Sequence, residues 1–163
     1  MKPHTDLYTS FVKFSDKYSL GAYVKSRFIN QISYVDVAHS DDTSSIEFIK
    51  NAIIRTLNDY TINVLYTDSY FFYTVATINI NCLKNDKQRL YYLDLRDLLA
   101  RFNITVLYLP QVVKKSTDDS IIANIYCNLK NKLEVEFDKR LYRHAYKHYT
   151  PKKLKCKHKC DKH

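Results

Sequence analysis

Thr61-Ile62-Asn63-Val64-Leu65-Tyr66-Thr67-Asp68-Ser69 is the stretch on which the fold turns. Its short apolar run reads as a buried strand, and it delivers a carboxylate, Asp68, at the carboxyl end. Just upstream, Ser44-Ser45-Ile46-Glu47 forms a capping box, in which the Ser44 hydroxyl accepts an early backbone N–H and Glu47 reaches back to the cap. Ile46, Ile49, Ile53 and Leu57 follow at helical spacing, and Asn58-Asp59 ends that helix. Downstream, the pattern predicts a helix over Ser69–Ile78, a loop over Asn79–Asp86 and a helix over Lys87–Phe102 with Leu95, Leu98, Leu99 and Phe102 on one face, stopped by Asn103.

Ile104–Leu109 reads as another buried strand, ended by Pro110. Ser116 or Thr117 then caps a further helix, with Asp118 and Asp119 in its first turn and Ile121, Ile122, Ile125 and Leu129 behind. Leu133, Val135 and Phe137 alternate, which suits either an added strand or a continued helix. Ahead of all this, Leu7–Phe14, Leu20–Arg27 and Ile29–Ala38 read as an antiparallel meander. The order β-β-β-α-β-α-α-β-α predicts an α/β architecture. Its sheet is mixed and five-stranded, three antiparallel strands then parallel ones, flanked by helices.

The chain has 163 residues, one domain's worth, and 45% of them are hydrophobic, enough for a globular core. It holds a single glycine, Gly21, which excludes a P-loop, a GxGxxG fingerprint and a glycine-rich hydrolase elbow. The net charge of +9 is localised. Residues 1–138 hold 16 basic and 16 acidic residues, whereas 139–163 hold 10 basic residues against Asp161 alone. Charge therefore divides the chain into a neutral domain, 1–138, and a basic tail, 139–163, that attracts polyanions, nucleic acid first. Four scattered cysteines do not make a disulfide scaffold. No signal-peptide pattern or membrane-length apolar run is present, so a soluble intracellular protein with no membrane partner is expected.

Four acids lie at strand ends or helix starts: Asp16, Glu47, Asp68 and Asp118. In open α/β sheets such positions gather into sites. Four carboxylates converging there would suit two hard divalent cations, magnesium or manganese, which can activate water and stabilise the leaving oxygen in phosphodiester cleavage. Each also has a plain structural reading, as a turn former, a capping acid or a charge at a helix N-terminus.

Four stretches bring a family into view. Phe14-Ser15-Asp16-Lys17-Tyr18-Ser19-Leu20-Gly21-Ala22-Tyr23-Val24 resembles the TDAS…IGAVL hairpin of the RNase H domain of gypsy-type retrotransposon and retroviral reverse transcriptases. Ser45-Ile46-Glu47-Phe48-Ile49-Lys50-Asn51-Ala52 resembles its KELLA helix, and Val64-Leu65-Tyr66-Thr67-Asp68-Ser69 its LYTD motif. Leu107-Tyr108-Leu109-Pro110 followed by Asp118 resembles its VYxPG…VADALSR ending. Residues 11 to about 128 are covered.

The resemblance implies an RNase H-like fold in which Asp16, Glu47, Asp68 and Asp118 hold two magnesium ions and cut the RNA strand of an RNA–DNA hybrid. It also implies further parts of a reverse-transcriptase polyprotein as partners. The match departs from the family at named points. Lys17, where a small residue is usual, would weaken ion binding or hold a phosphate; Gln111 replaces a glycine, and 110–117 has no histidine. Ser10 in Leu7-Tyr8-Thr9-Ser10 offers a second alignment, to a longer hairpin, in which the first acid is absent.

In the tail, His144-x3-His148 and Cys156-x3-Cys160 are four potential zinc ligands. Their seven-residue separation is far shorter than in the zinc-binding module that follows RNase H in retroelement polyproteins, which favours a flexible basic tail over a zinc site. Lys152, Lys153, Lys155, Lys157 and Lys159 suit non-specific phosphate contacts. Two alternatives to a nuclease stay open: an inactive RNase H-like structural or nucleic-acid-binding domain, and an unrelated nucleic-acid-binding protein that relies on its tail.

Overall fold

The computed structural model describes residues 1–14, 18–37, 44–81, 83, 85–115 and 121–146. Ten elements occur in the order β1 (His4–Phe14), β2 (Tyr18–Lys25), β3 (Ser33–Val37), α1 (Ser44–Leu57), β4 (Thr61–Thr67), α2 (Tyr70–Thr77), α3 (Asp86–Arg101), β5 (Thr105–Tyr108), α4 (Leu109–Lys115) and α5 (Ile121–Tyr146). The five strands form one sheet in the order β3-β2-β1-β4-β5. β1 pairs antiparallel with β2, and β2 with β3, whereas β4 runs parallel to β1, and β5 to β4. This is the predicted mixed sheet, with the first strand at its centre.

Both faces of the sheet are covered, and the strands alternate accordingly. On β1, Leu7 points to the α1, α2 and α3 layer, where Ile49, Ile53, Phe72, Val75, Leu95 and Leu99 are buried. Its neighbour Tyr8 points the other way, against Ile125, Leu129, Leu133 and Phe137 of α5. Those four are spaced every fourth residue, which makes one apolar stripe along a helix. Leu133 and Phe137 thus continue α5, and Val135 stands 56% exposed on its outer side. Of the two readings of that alternating stretch, the helix is correct.

Helix boundaries follow from local chemistry. Ser69 caps α2 by accepting from the Phe72 N–H at 3.2 Å, and Asn85 caps α3 by accepting from Gln88 N–H at 3.1 Å. α3 ends because Asn103 adopts a left-handed backbone, φ 57°, which asparagine tolerates better than most residues. One expectation fails. Leu109-Pro110 does not close a strand into a loop but opens α4, because proline's missing N–H is harmless in a first helical turn.

The charge boundary at 138/139 lies inside α5. Arg140, counted with the basic tail, bonds Asp36 on β3 and Glu136 on α5, each at 2.9 Å. Among the described residues no helix is long and apolar enough to cross a membrane.

Candidate functional site

β4 carries Asp68 to its carboxyl end, and β1 runs alongside in parallel with Thr9 opposite Thr67. One residue further on, Ser10 comes abreast of Asp68. The Ser10 hydroxyl donates to Asp68 Oδ2 in a short hydrogen bond, and the Phe11 N–H donates to Oδ1 at 3.2 Å. Lys130, reaching from α5, donates to the same Oδ2 at 3.1 Å and to the Phe11 carbonyl at 3.2 Å. The Asp68 side chain is only 6% exposed, against 31% for Lys130. A carboxylate so far from water needs such partners, since an unpaired buried charge is strongly destabilising.

Neighbouring groups reinforce this corner. Thr9 Oγ1 donates to the Tyr66 carbonyl at 2.9 Å, and Thr67 Oγ1 accepts from the Ser69 N–H at 3.1 Å. The Tyr126 phenol is pushed up to about 12, first by burial and then by the Asp68 charge. Asp68 also lines a groove of about 360 Å³ whose walls include Phe11, Lys13, Ser45, Phe71 and Tyr92. Phe71 is 53% exposed and meets Tyr92 edge-on, and Tyr70 beside it is equally open and meets Tyr108 edge-on.

Of the four predicted metal-binding acids, two fall among the described residues: Asp68, which anchors this cluster, and Glu47. Glu47 is exposed in the first turn of α1 and makes none of the hydrogen bonds that Asp68 receives. Asp16 and Asp118 lie outside the described residues, as do Lys17, His148, Lys152, Lys153, Lys155, Cys156, Lys157, Lys159 and Cys160; His144 falls on the last turn of α5. Among the described residues no three His, Cys, Asp or Glu side chains converge as a metal requires. The donors at Asp68 are one carboxylate, one hydroxyl and one carbonyl, with an ammonium already seated on them. With Asp16 and Asp118 outside the described residues, Asp68 is the one anionic group described in this set, and the Lys130 ammonium sits on it.

Ser10 is legible in the sequence as the second hairpin alignment. Lys130 and the groove aromatics are not. The one local signal for Lys130 is a lysine directly after Leu129 on the buried stripe of α5.

No family model matches the chain, and no curated protein matches it either. Among solved structures it is similar to RNase H1 from the halophilic archaeon Halobacterium salinarum NRC-1, at 10% sequence identity, over 64% of this chain and 84% of that one, with a TM-score of 0.49.

Proposed function

We propose that this chain is an RNase H-like domain that binds nucleic acid in the groove beside Asp68 and does not hydrolyse it there. One observation carries the reading: the Lys130 ammonium and the Ser10 hydroxyl hold the Asp68 oxygen that a catalytic cation would need. Nucleic acid remains the ligand class because the basic excess of residues 139–163 favours polyanions and exposed Phe71 and Tyr70 offer faces on which bases stack. The resemblance points to an RNA–DNA hybrid as the form bound, and to a retroelement lineage.

The test is a labelled RNA–DNA hybrid, with single-stranded RNA and duplex DNA of the same sequence, incubated with the full chain and magnesium or manganese. Binding without cleavage is the expected result. Phe71→Ala should weaken it by about 5- to 100-fold, the worth of one base–aromatic stack. Cleavage that Asp68→Asn abolishes would establish a nuclease instead. Binding lost entirely on deleting 147–163, with Phe71→Ala neutral, would favour the tail-dependent alternative.

A further inference from the structure

β1 outruns β4. Their pairing ends at Thr9 and Thr67, but β1 continues to Phe14. Past that point, the backbone groups of β1 that face β4 have no strand to bond, and leaving them buried and unpaired is costly. Phe11 shows the solution: its N–H goes to Asp68 Oδ1 and its carbonyl to Lys130 Nζ. The Asp68–Lys130 pair therefore extends the ladder beyond the last residue of β4.

That role occupies only part of the lysine. An ammonium has three N–H donors, and Lys130 spends two, on Phe11 and Asp68. Among the described residues no third acceptor lies within hydrogen-bond distance. Lys130 is also the solvent-facing member of the pair, 31% exposed against 6%. Lys13, two residues along β1 from Phe11, lines the adjoining groove with Asp68 and adds a second cation.

From this we infer that Lys130 is the site's resident cation: it neutralises Asp68 and presents its remaining N–H to a backbone phosphate of the bound strand, so that binding needs no divalent ion. The inference rests on the nucleic-acid reading above. A charge-assisted N–H to phosphate oxygen is the strong kind of hydrogen bond, and the same ammonium repels an incoming metal ion.

The experiment is fluorescence anisotropy of a short labelled RNA–DNA hybrid with the full chain, over a salt series, in EDTA and in magnesium. The wild type should bind equally in both. Lys130→Gln should lose about tenfold in affinity. It should also flatten the slope of log K against log salt by roughly 0.7 to 0.9, one phosphate contact. Lys130→Arg should keep both.

Lys130→Gln strands Asp68 and can unfold the corner, so Asp68→Asn/Lys130→Gln, which removes both charges together, serves as the second variant and should show the same loss. Magnesium-dependent wild-type binding overturns the inference, and so does a folded variant with unchanged affinity and slope. In both cases the nucleic-acid reading survives. A wild type that binds no nucleic acid at all overturns both.

Discussion

Ser10 of β1 stands beside Asp68 at the end of β4 and donates its hydroxyl proton to that carboxylate. The β1 neighbour of Asp68 is thus an uncharged side chain, and the positive charge comes from Lys130 on α5. If those two residues are what exclude a cation, replacing them should admit one. Ser10→Asp/Lys130→Ala places a second carboxylate next to Asp68 and clears the ammonium. Its melting temperature should rise with manganese, by the equivalent of about 2.7 kcal/mol at a hundredfold excess over Kd. The wild type should not respond, which thermal denaturation across a manganese series checks. Ser10→Ala alone should cost about 1–2 kcal/mol, because a buried carboxylate loses a donor.

Gly21 is required by a ring. A Cβ at this position would lie 2.9 Å from the Phe48 ring of α1 and 3.1 Å from the Phe11 ring on β1. Its φ is not positive and its pairing is regular, so the need is space rather than backbone freedom. Gly21→Ala should destabilise by about 1–3 kcal/mol, the cost of overpacking. Phe48→Leu in the same chain should recover part of that, measured by urea denaturation as a double-mutant cycle.

Burial raises the Asp6 carboxyl above its ordinary range, and a backbone hydrogen bond with Val64 offsets this only in part. A raised carboxyl pKa means the folded state prefers the protonated form. The charged form therefore costs stability at neutral pH, and the cost disappears as pH falls through the folded value towards the ordinary one. Asp6→Asn should melt higher than wild type at neutral pH. The advantage should vanish in acid, and thermal melts at several pH values will show whether it does.

Tyr8 and Tyr66 stack with ring centroids 4.5 Å apart. Burial holds both phenols above the usual tyrosine value, and the Asp6 charge pushes each further. Folding thus favours the neutral phenols: their contribution is complete below about pH 10 and lost as pH rises through the folded values. Ultraviolet titration of tyrosinate should show a late-ionising group alongside the exposed tyrosines. Asp68→Asn should bring the Tyr126 step, now near 12, to lower pH.

Arg140 ties α5 to the sheet edge through Asp36, itself 60% exposed. Solvent screens such a pair, so Arg140→Ala should cost less than about 1 kcal/mol in chemical denaturation. Truncation at the charge boundary after 138 should cost more, because it also removes Leu141, which packs against the α5 core stripe.

Much of this architecture was legible residue by residue. Local spacing located the strand ending at Asp68, the helix starting at Ser44 and the stop at Asn103, because capping, periodicity and backbone preference act within a few residues. The α4 helix was not legible: Leu109-Pro110 suits a strand end and a helix start equally, and neighbours decide between them. The charge boundary at 138/139 falls within α5, whose course follows the apolar stripe of Ile125, Leu129, Leu133 and Phe137, which does not register net charge.

The sequence by itself determined the order of the strands and of every helix but α4, the mixed sheet, and the presence of an acid at the carboxyl end of β4. Only the tertiary structure decided what that acid does. Its partners lie 58 and 62 residues away, at Ser10 and Lys130. Bringing them together depends on the register of a parallel strand pair and on the angle at which a long helix crosses it. Those are set by side-chain packing between layers, and no local spacing records them.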